Sequence, residues 1–188
     1  MVFATIVTLM STDSNPDVRN QIQQNRGIAK NLELLIPGLH GYRKLEDVRA
    51  ADSIVRNQVA NKLDQSMINL EDLRKQMVAN NDFNNLTNVG SLISTIQQLS
   101  GQVRHAEQGY SGFAANIRID ETKLNKLYEY DYDFVASAVS LEGKTSIAYD
   151  PNAPASVQTT LTDISNATRS FKQAWAVRIE AIENVMVK

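Results

Sequence analysis

Two aspartates lie where the helical pattern of the sequence predicts apolar core residues. Asp52 falls near the centre of an apolar stripe, and Arg49 and Arg56 flank it at spacings of three and four residues. Asp131 lies between two apolar residues of a later stripe. A carboxylate on an apolar face has to find a cation or a hydrogen-bond donor, because an unpaired buried charge costs several kcal/mol.

The pattern therefore predicts a shared polar cluster inside the protein. Its expected members are Asp52, Asp131, Arg49 and Arg56, with Tyr42, Tyr110 and Arg118 as further available partners. Two roles stay open for such a cluster. It is either a set of buried ion pairs that fixes the register of the helices, or a catalytic acid or ligand site.

Other chemistry has little support in the sequence. The chain has no cysteine, which removes thiol catalysis and thiolate metal sites. Neither His40 nor His105 has a glutamate three residues before it, as a di-iron bundle requires. Phosphate-binding loops and nucleophile elbows are also missing. We predict no catalytic residue, no cofactor and no metal site.

Charge and hydropathy limit the partners. The net charge of −2 and the pI of about 5.7 provide no basic surface for a nucleic acid. The apolar segment from Val2 to Met10 is too short to span a bilayer and has no basic residue ahead of it. We expect a helix or strand that lies on the bundle there, or a contact with an oligomer partner or a membrane surface.

Apolar residues at three- and four-residue steps predict an all-α protein. Asn15-Pro16-Asp17 begins the first helix, and Pro37-Gly38 ends it after Leu35. The other helices are predicted from Tyr42 or Arg43 to about Asn80, from Leu86 to Phe113, from an N-cap at Asp120 to Gly143, and from about Pro154 onward.

These helices predict an antiparallel, coiled-coil-like bundle built on two long amphipathic helices. The stripe of Leu45 to Met77 should face the stripe of Leu86 to Phe113 in that arrangement. We expect one domain over residues 1–188. It divides into an N-terminal apolar segment and helix (1–35), a core of three helices (36–142), a loop (143–155) and a C-terminal helix (156–188).

Two motif blocks carry a resemblance to a known group of proteins. The first is Pro37-Gly38-x-x-Gly41-Tyr42 with Glu46-x-x-Arg49-x-Ala51-Asp52-x-x-x-Arg56, and the second is Gly109-Tyr110-x-Gly112-Phe113 with Leu127-Tyr128-Glu129-Tyr130-Asp131. Between Ile36 and Leu141 the chain resembles a family of uncharacterised prokaryotic all-helical proteins. The resemblance implies an all-α fold, provides no activity, and adds Glu46 to the candidate cluster. It marks Tyr42, Glu46, Arg49, Asp52, Arg56, Tyr110, Phe113 and Asp131 as characteristic positions.

Long amphipathic helices without an assembled catalytic constellation favour a cytoplasmic structural or protein-interaction module. Such a module acts through self-association or through a protein partner, and we expect no enzymatic activity. One alternative is a membrane-surface adaptor that uses the apolar N-terminus. The other is a small-ligand-binding protein or an enzyme with a polar site at Asp52 and Asp131.

Overall fold

All regular secondary structure in the described part of the chain is helical, as predicted. The computed structural model describes residues 27–28, 30–36, 45–106, 121–147 and 149–187. Within these ranges it does not describe the side chains of 45–51, 121–125, 154–155 and 183–187. The four long helices are α1 (Leu45–Ala79), α2 (Leu86–His105), α3 (Glu121–Thr145) and α4 (Pro154–Val187). A short helical stretch over 30–35 precedes them.

The end of α1 is determined by local sequence, close to the predicted end at Asn80. Asn81 has a φ of 58°, the left-handed conformation that asparagine tolerates better than most residues. The amide of Asp82 donates to the carbonyl oxygen of Met77 (2.9 Å), and the amide of Asn81 donates to that of Val78 (3.1 Å). This pair of bonds is a Schellman motif, which satisfies carbonyls that the helix end leaves unpaired.

Two predicted helix ends were wrong. Helix α2 ends at His105 rather than at Phe113, and Ala106 has already left the helical conformation (φ −53°, ψ 118°). Helix α3 continues past Gly143 to Thr145. A helical glycine costs only about 1 kcal/mol, and contacts to another helix hold this end. Asn69 on α1 donates to the hydroxyls of Thr145 (3.2 Å) and Ser146 (3.0 Å).

The predicted start of α4 at Pro154 is confirmed. Proline suits the first helical position, because its missing N–H would have no partner there and its φ is already helical. The preceding loop contains an Asx turn, in which the Asp150 carboxylate accepts from the Asn152 amide (2.9 Å). The loop therefore covers residues 146–153 rather than the predicted 143–155.

The predicted apolar stripes form the core. On α1 every described apolar member of the stripe from Val55 to Met77 is at most 5% exposed. Phe134 on α3 and Phe171 on α4 are fully buried, and their ring centres lie 5.4 Å apart. Leu32 and Ile36 beside the short N-terminal helical stretch are buried in the same core. The rest of the predicted first helix, from Pro16 on, lies largely outside the described residues.

The four helices occupy the corners of a square. Helix α1 packs extensively on α2 and also on α3, whereas α4 packs extensively on α3 and less on α2. Ser100 on α2 contacts Ala60 on α1, and Arg56 contacts Val103, so α1 and α2 run antiparallel.

Helices α1 and α3 instead run parallel, because residue numbers rise together along their contacts. Lys62 pairs with Glu142, and further along both helices Asn69 pairs with Thr145. Helix α4 returns antiparallel to α3 after the loop, so α2 and α4 form the second parallel pair. Helices α2 and α3, which follow each other in the chain, lie at opposite corners of the square.

Candidate functional site

Two arginines and two aspartates form a continuous charge network inside the bundle. Arg56 Nε donates to Asp52 Oδ2 at 2.8 Å. Arg178 Nη2 donates to the other oxygen of the same carboxylate, Asp52 Oδ1, at 2.7 Å. Arg178 Nε donates to Asp131 Oδ1 at 2.6 Å. The charges thus alternate in the order Arg56, Asp52, Arg178, Asp131, and their sum is zero.

Arg178 connects helices that do not pack against each other in the described residues. Asp52 lies on α1 and Arg178 on α4, at opposite corners of the square. Asp131 lies on α3, which is next to both helices. The long arginine side chain therefore crosses the centre of the bundle, and its planar fork contacts carboxylates on two helices at once.

Arg56 extends the network to α2, the fourth helix. Its Nη1 lies 3.4 Å from the carbonyl oxygens of Val103 and Arg104 and 3.1 Å from that of Ala106. These carbonyls belong to the last turn and end of α2, where no further helical N–H can bond to them and where the helix dipole is negative. A guanidinium is therefore well placed there, and the network reaches all four helices.

The network is sealed from solvent. Asp131 is 0% exposed, Arg178 1%, Asp52 4% and Arg56 7%. Burial alone would lower the pKa of Arg178, but the attraction of Asp131 and Asp52 outweighs it and raises the pKa above its ordinary value. Arg178 is therefore charged at every pH at which the protein is folded.

Two aromatic rings complete the surroundings of Arg178. Its guanidinium carbon lies 5.2 Å from the ring centre of Phe134 and 5.9 Å from that of Trp175. Arg178 Nη1 is buried and has no hydrogen-bond partner among the described residues. The negative faces of the two rings stabilise the guanidinium cation electrostatically, which compensates for the missing hydrogen bond at this nitrogen.

The structure brings together three of the residues that the sequence singles out. Asp52, Arg56 and Asp131 belong to one network, although the two aspartates meet only through Arg178. Glu46 and Arg49 lie in α1, but their side chains are outside the described part. Tyr42, Tyr110 and Arg118 also fall outside the described residues.

Sequence reasoning missed Arg178, although a signal was present. Phe171, Trp175, Arg178 and Ile182 follow at steps of four, three and four residues. This spacing puts Arg178 on the buried face of α4, where it is 1% exposed. A charged residue on an apolar stripe is the same signal that singled out Asp52. Applied to α4, this signal predicts Arg178 as a member of the buried cluster.

A second, more exposed polar cluster joins α1 to α2. Asp64 Oδ2 accepts from Arg104 Nη2 at 2.6 Å, and Asp64 Oδ1 accepts from the Ser100 hydroxyl at 2.5 Å. The Arg104 side chain is 35% exposed and the Asp64 side chain 40%. Pairs this accessible to water contribute little to stability.

The network geometry suits a structural role better than acid–base chemistry. Both oxygens of Asp52 accept from guanidinium groups, so a substrate would have to displace an arginine before it could use this carboxylate. In the described part of the chain no group of three or more potential metal ligands is found. None of the described helices is both long and apolar enough to cross a membrane.

Comparisons with protein-family models, with curated proteins and with solved structures found no match to this chain. The resemblance to prokaryotic all-helical proteins therefore stays a prediction. The candidate site has to be interpreted from its own geometry.

Proposed function

We propose that this chain is a structural or protein-interaction module that works in the cytoplasm by self-association or by binding a protein partner. One observation carries the proposal: large apolar side chains are exposed at the end of the bundle that holds the α1–α2 turn and the α3–α4 loop. The proposal includes a coiled-coil-like pairing of α1 with α2, which would make the bundle a rigid support for that end.

Three residues define this turn-end surface. Phe83 in the turn is 58% exposed, Ile68 on α1 54%, and Ile147 in the loop 41%. Hydrogen bonds between their sequence neighbours hold them at the same end. Asn69 donates to the Ser146 hydroxyl, and the Tyr149 hydroxyl donates to Asp82 at 3.2 Å.

The charge network supports this proposal over a ligand site at Asp52 and Asp131. Both oxygens of Asp52 and the Nε and Nη2 of Arg178 are used in bonds, and the four residues of the network are at most 7% exposed. A network of this kind fixes which helices pair and in which register. The membrane-adaptor alternative depends on Val2 to Met10, which lies outside the described residues.

Sedimentation velocity over a range of protein concentrations tests self-association. We expect the wild-type chain to form a dimer or larger assembly, and the double change Phe83→Ser with Ile147→Ser to shift it toward monomer. The matched control is Val177→Ser, which removes an apolar side chain of similar exposure (40%) from the other end of the bundle.

A heterologous partner is tested by cross-linking in cells of the source organism, followed by mass spectrometry. Cross-links to one partner should disappear in the double variant and persist in the Val177→Ser control. A monomeric wild-type chain whose cross-links are the same in all three proteins would refute the proposal.

A further inference from the structure

A groove of about 310 Å³ opens between α2 and α4, which pack least among the neighbouring helix pairs of the square in the described residues. Helix α4 contributes one side over residues 158–169, a length of about 16 Å at 1.5 Å per residue. Helix α2 contributes a shorter wall over residues 88–92. The groove lies in the half of the bundle that contains the α1–α2 turn, away from the buried charge network.

Short polar side chains keep the groove open. Ser91 on α2 and Ser165 on α4 both line it, and neither hydroxyl is long enough to fill the space. No hydrogen bond or ion pair joins α2 to α4 among the described residues. Only Leu92 and Leu161 supply apolar lining, which forms a narrow strip against the core.

The groove combines three kinds of group. Hydroxyls and amides such as Ser165 and Asn88 can both donate and accept hydrogen bonds. Leu92 and Leu161 offer an apolar surface that the flat face of a small ring can contact. Arg169 is the lining residue with a charge. Among the described residues its one hydrogen bond is a long one to Asn166 (3.3 Å), so most of its N–H groups are available.

We propose that this groove binds a small molecule that carries several hydroxyls and one anionic group, such as a sugar phosphate or a sugar acid. The anionic group pairs with Arg169 as charge-assisted hydrogen bonds. The hydroxyls bond to the serine and amide side chains, and the ring lies on the leucine strip. A volume near 300 Å³ is at the lower end of the range for small-molecule sites, which fits a single sugar.

The proposal is independent of self-association and is tested by NMR titration of the ¹⁵N-labelled full chain. The probes are glucose 6-phosphate, gluconate, glucose and inorganic phosphate. We expect the amide signals of Ser91 and Ser165 to shift with at least one of the two sugar anions, with a Kd of about 1 mM or below. Whichever anion binds more tightly identifies the anionic group.

Three variants check the site. Arg169→Gln should weaken binding by about tenfold or more, and Ser165→Leu should block the groove. Arg74→Gln is the matched control, because Arg74 is a half-exposed arginine on α1, a helix that contributes no residue to the groove lining, and it should bind as the wild type does. If the wild type self-associates, the titration is repeated on the Phe83→Ser, Ile147→Ser variant.

Several outcomes would overturn the proposal. Unshifted Ser91 and Ser165 signals with both sugar anions would show a groove that only water occupies. Equal affinity in Arg169→Gln would remove the anion-binding role of Arg169. Glucose or inorganic phosphate that binds as tightly as the sugar anions would refute the combined recognition of hydroxyls and charge.

Discussion

The two parallel helix pairs in this bundle, α1 with α3 and α2 with α4, differ in how their helices are joined. Between α1 and α3, Lys62 Nζ lies 2.9 Å from Glu142 Oε2, and Asn69 bonds to Thr145 and Ser146. The carboxylates of Asp52 and Asp131 are joined there through Arg178. Between α2 and α4 the described residues form no such bond, and a groove of about 310 Å³ separates the helices.

Side-chain length and charge explain the difference. Helices α1 and α3 present long or complementary groups, which span the space between two backbones. Most of the polar side chains that α2 and α4 present to the groove are serine, threonine and asparagine, and among the described residues none of them bonds across it. The α1–α3 side therefore holds the helices together, whereas the α2–α4 side stays accessible to a ligand.

The largest expected effect is the loss of Arg178. Arg178→Met leaves Asp52 and Asp131 buried without their shared cation, so we expect a loss of about 3–5 kcal/mol in the free energy of unfolding. Denaturation in urea measures it. The control is Arg169→Met, the same change on the open side of α4, which should stay within about 0.5 kcal/mol of wild type. A loss below about 1 kcal/mol for Arg178→Met would mean that the network does not hold α1, α3 and α4 together.

Removal of Asp52 should cost a similar amount. Asp52→Ala leaves Arg56 and Arg178 with unbalanced buried charge, and we expect a loss of about 3–5 kcal/mol. Asp52→Asn should also destabilise, because an amide cannot neutralise two guanidinium groups. Thermal unfolding of both variants tests the structural role. An Asp52→Asn protein with unchanged stability would favour a ligand site instead.

The third prediction compares a leucine in the core with one beside the groove. Leu63 on α1 is fully buried, so Leu63→Ala should cost about 2–5 kcal/mol through cavity formation. Leu92 is only partly buried against the core, and Leu92→Ala should cost less than about 2 kcal/mol. Urea denaturation of the two variants gives the comparison, and equal losses would show that the α2–α4 side is as closed as the α1–α3 side.

The smallest effect concerns Lys62 and Glu142, whose side chains are 26% and 28% exposed. A double-mutant cycle with Lys62→Met and Glu142→Gln should give a coupling energy of about 0.2–1 kcal/mol, because water screens the pair. Raising the salt concentration should reduce it. A coupling energy above about 2 kcal/mol would mean that this pair, rather than the buried network, contributes most to joining α1 and α3.

The sequence by itself determined the features that depend on near neighbours. The end of α1 follows from Asn81, which accepts a left-handed conformation, and the start of α4 follows from Pro154. Apolar stripes at three- and four-residue steps identified the buried faces, because helical geometry is local and regular. The pairing of the buried Asp52 with Arg56 also depends on near neighbours, since the two residues are one helical turn apart.

Only the tertiary structure decided which partners meet across the bundle. Arg178 bonds to Asp52 over a separation of 126 residues, and no local pattern specifies that pairing. The continuation of α3 past Gly143 depends on Asn69 of another helix in the same way. The parallel pairing of α1 with α3 likewise depends on contacts between residues that are far apart in the sequence, such as Lys62 with Glu142. Periodicity predicts the face that a helix buries, but the neighbour of that face depends on the path of the whole chain.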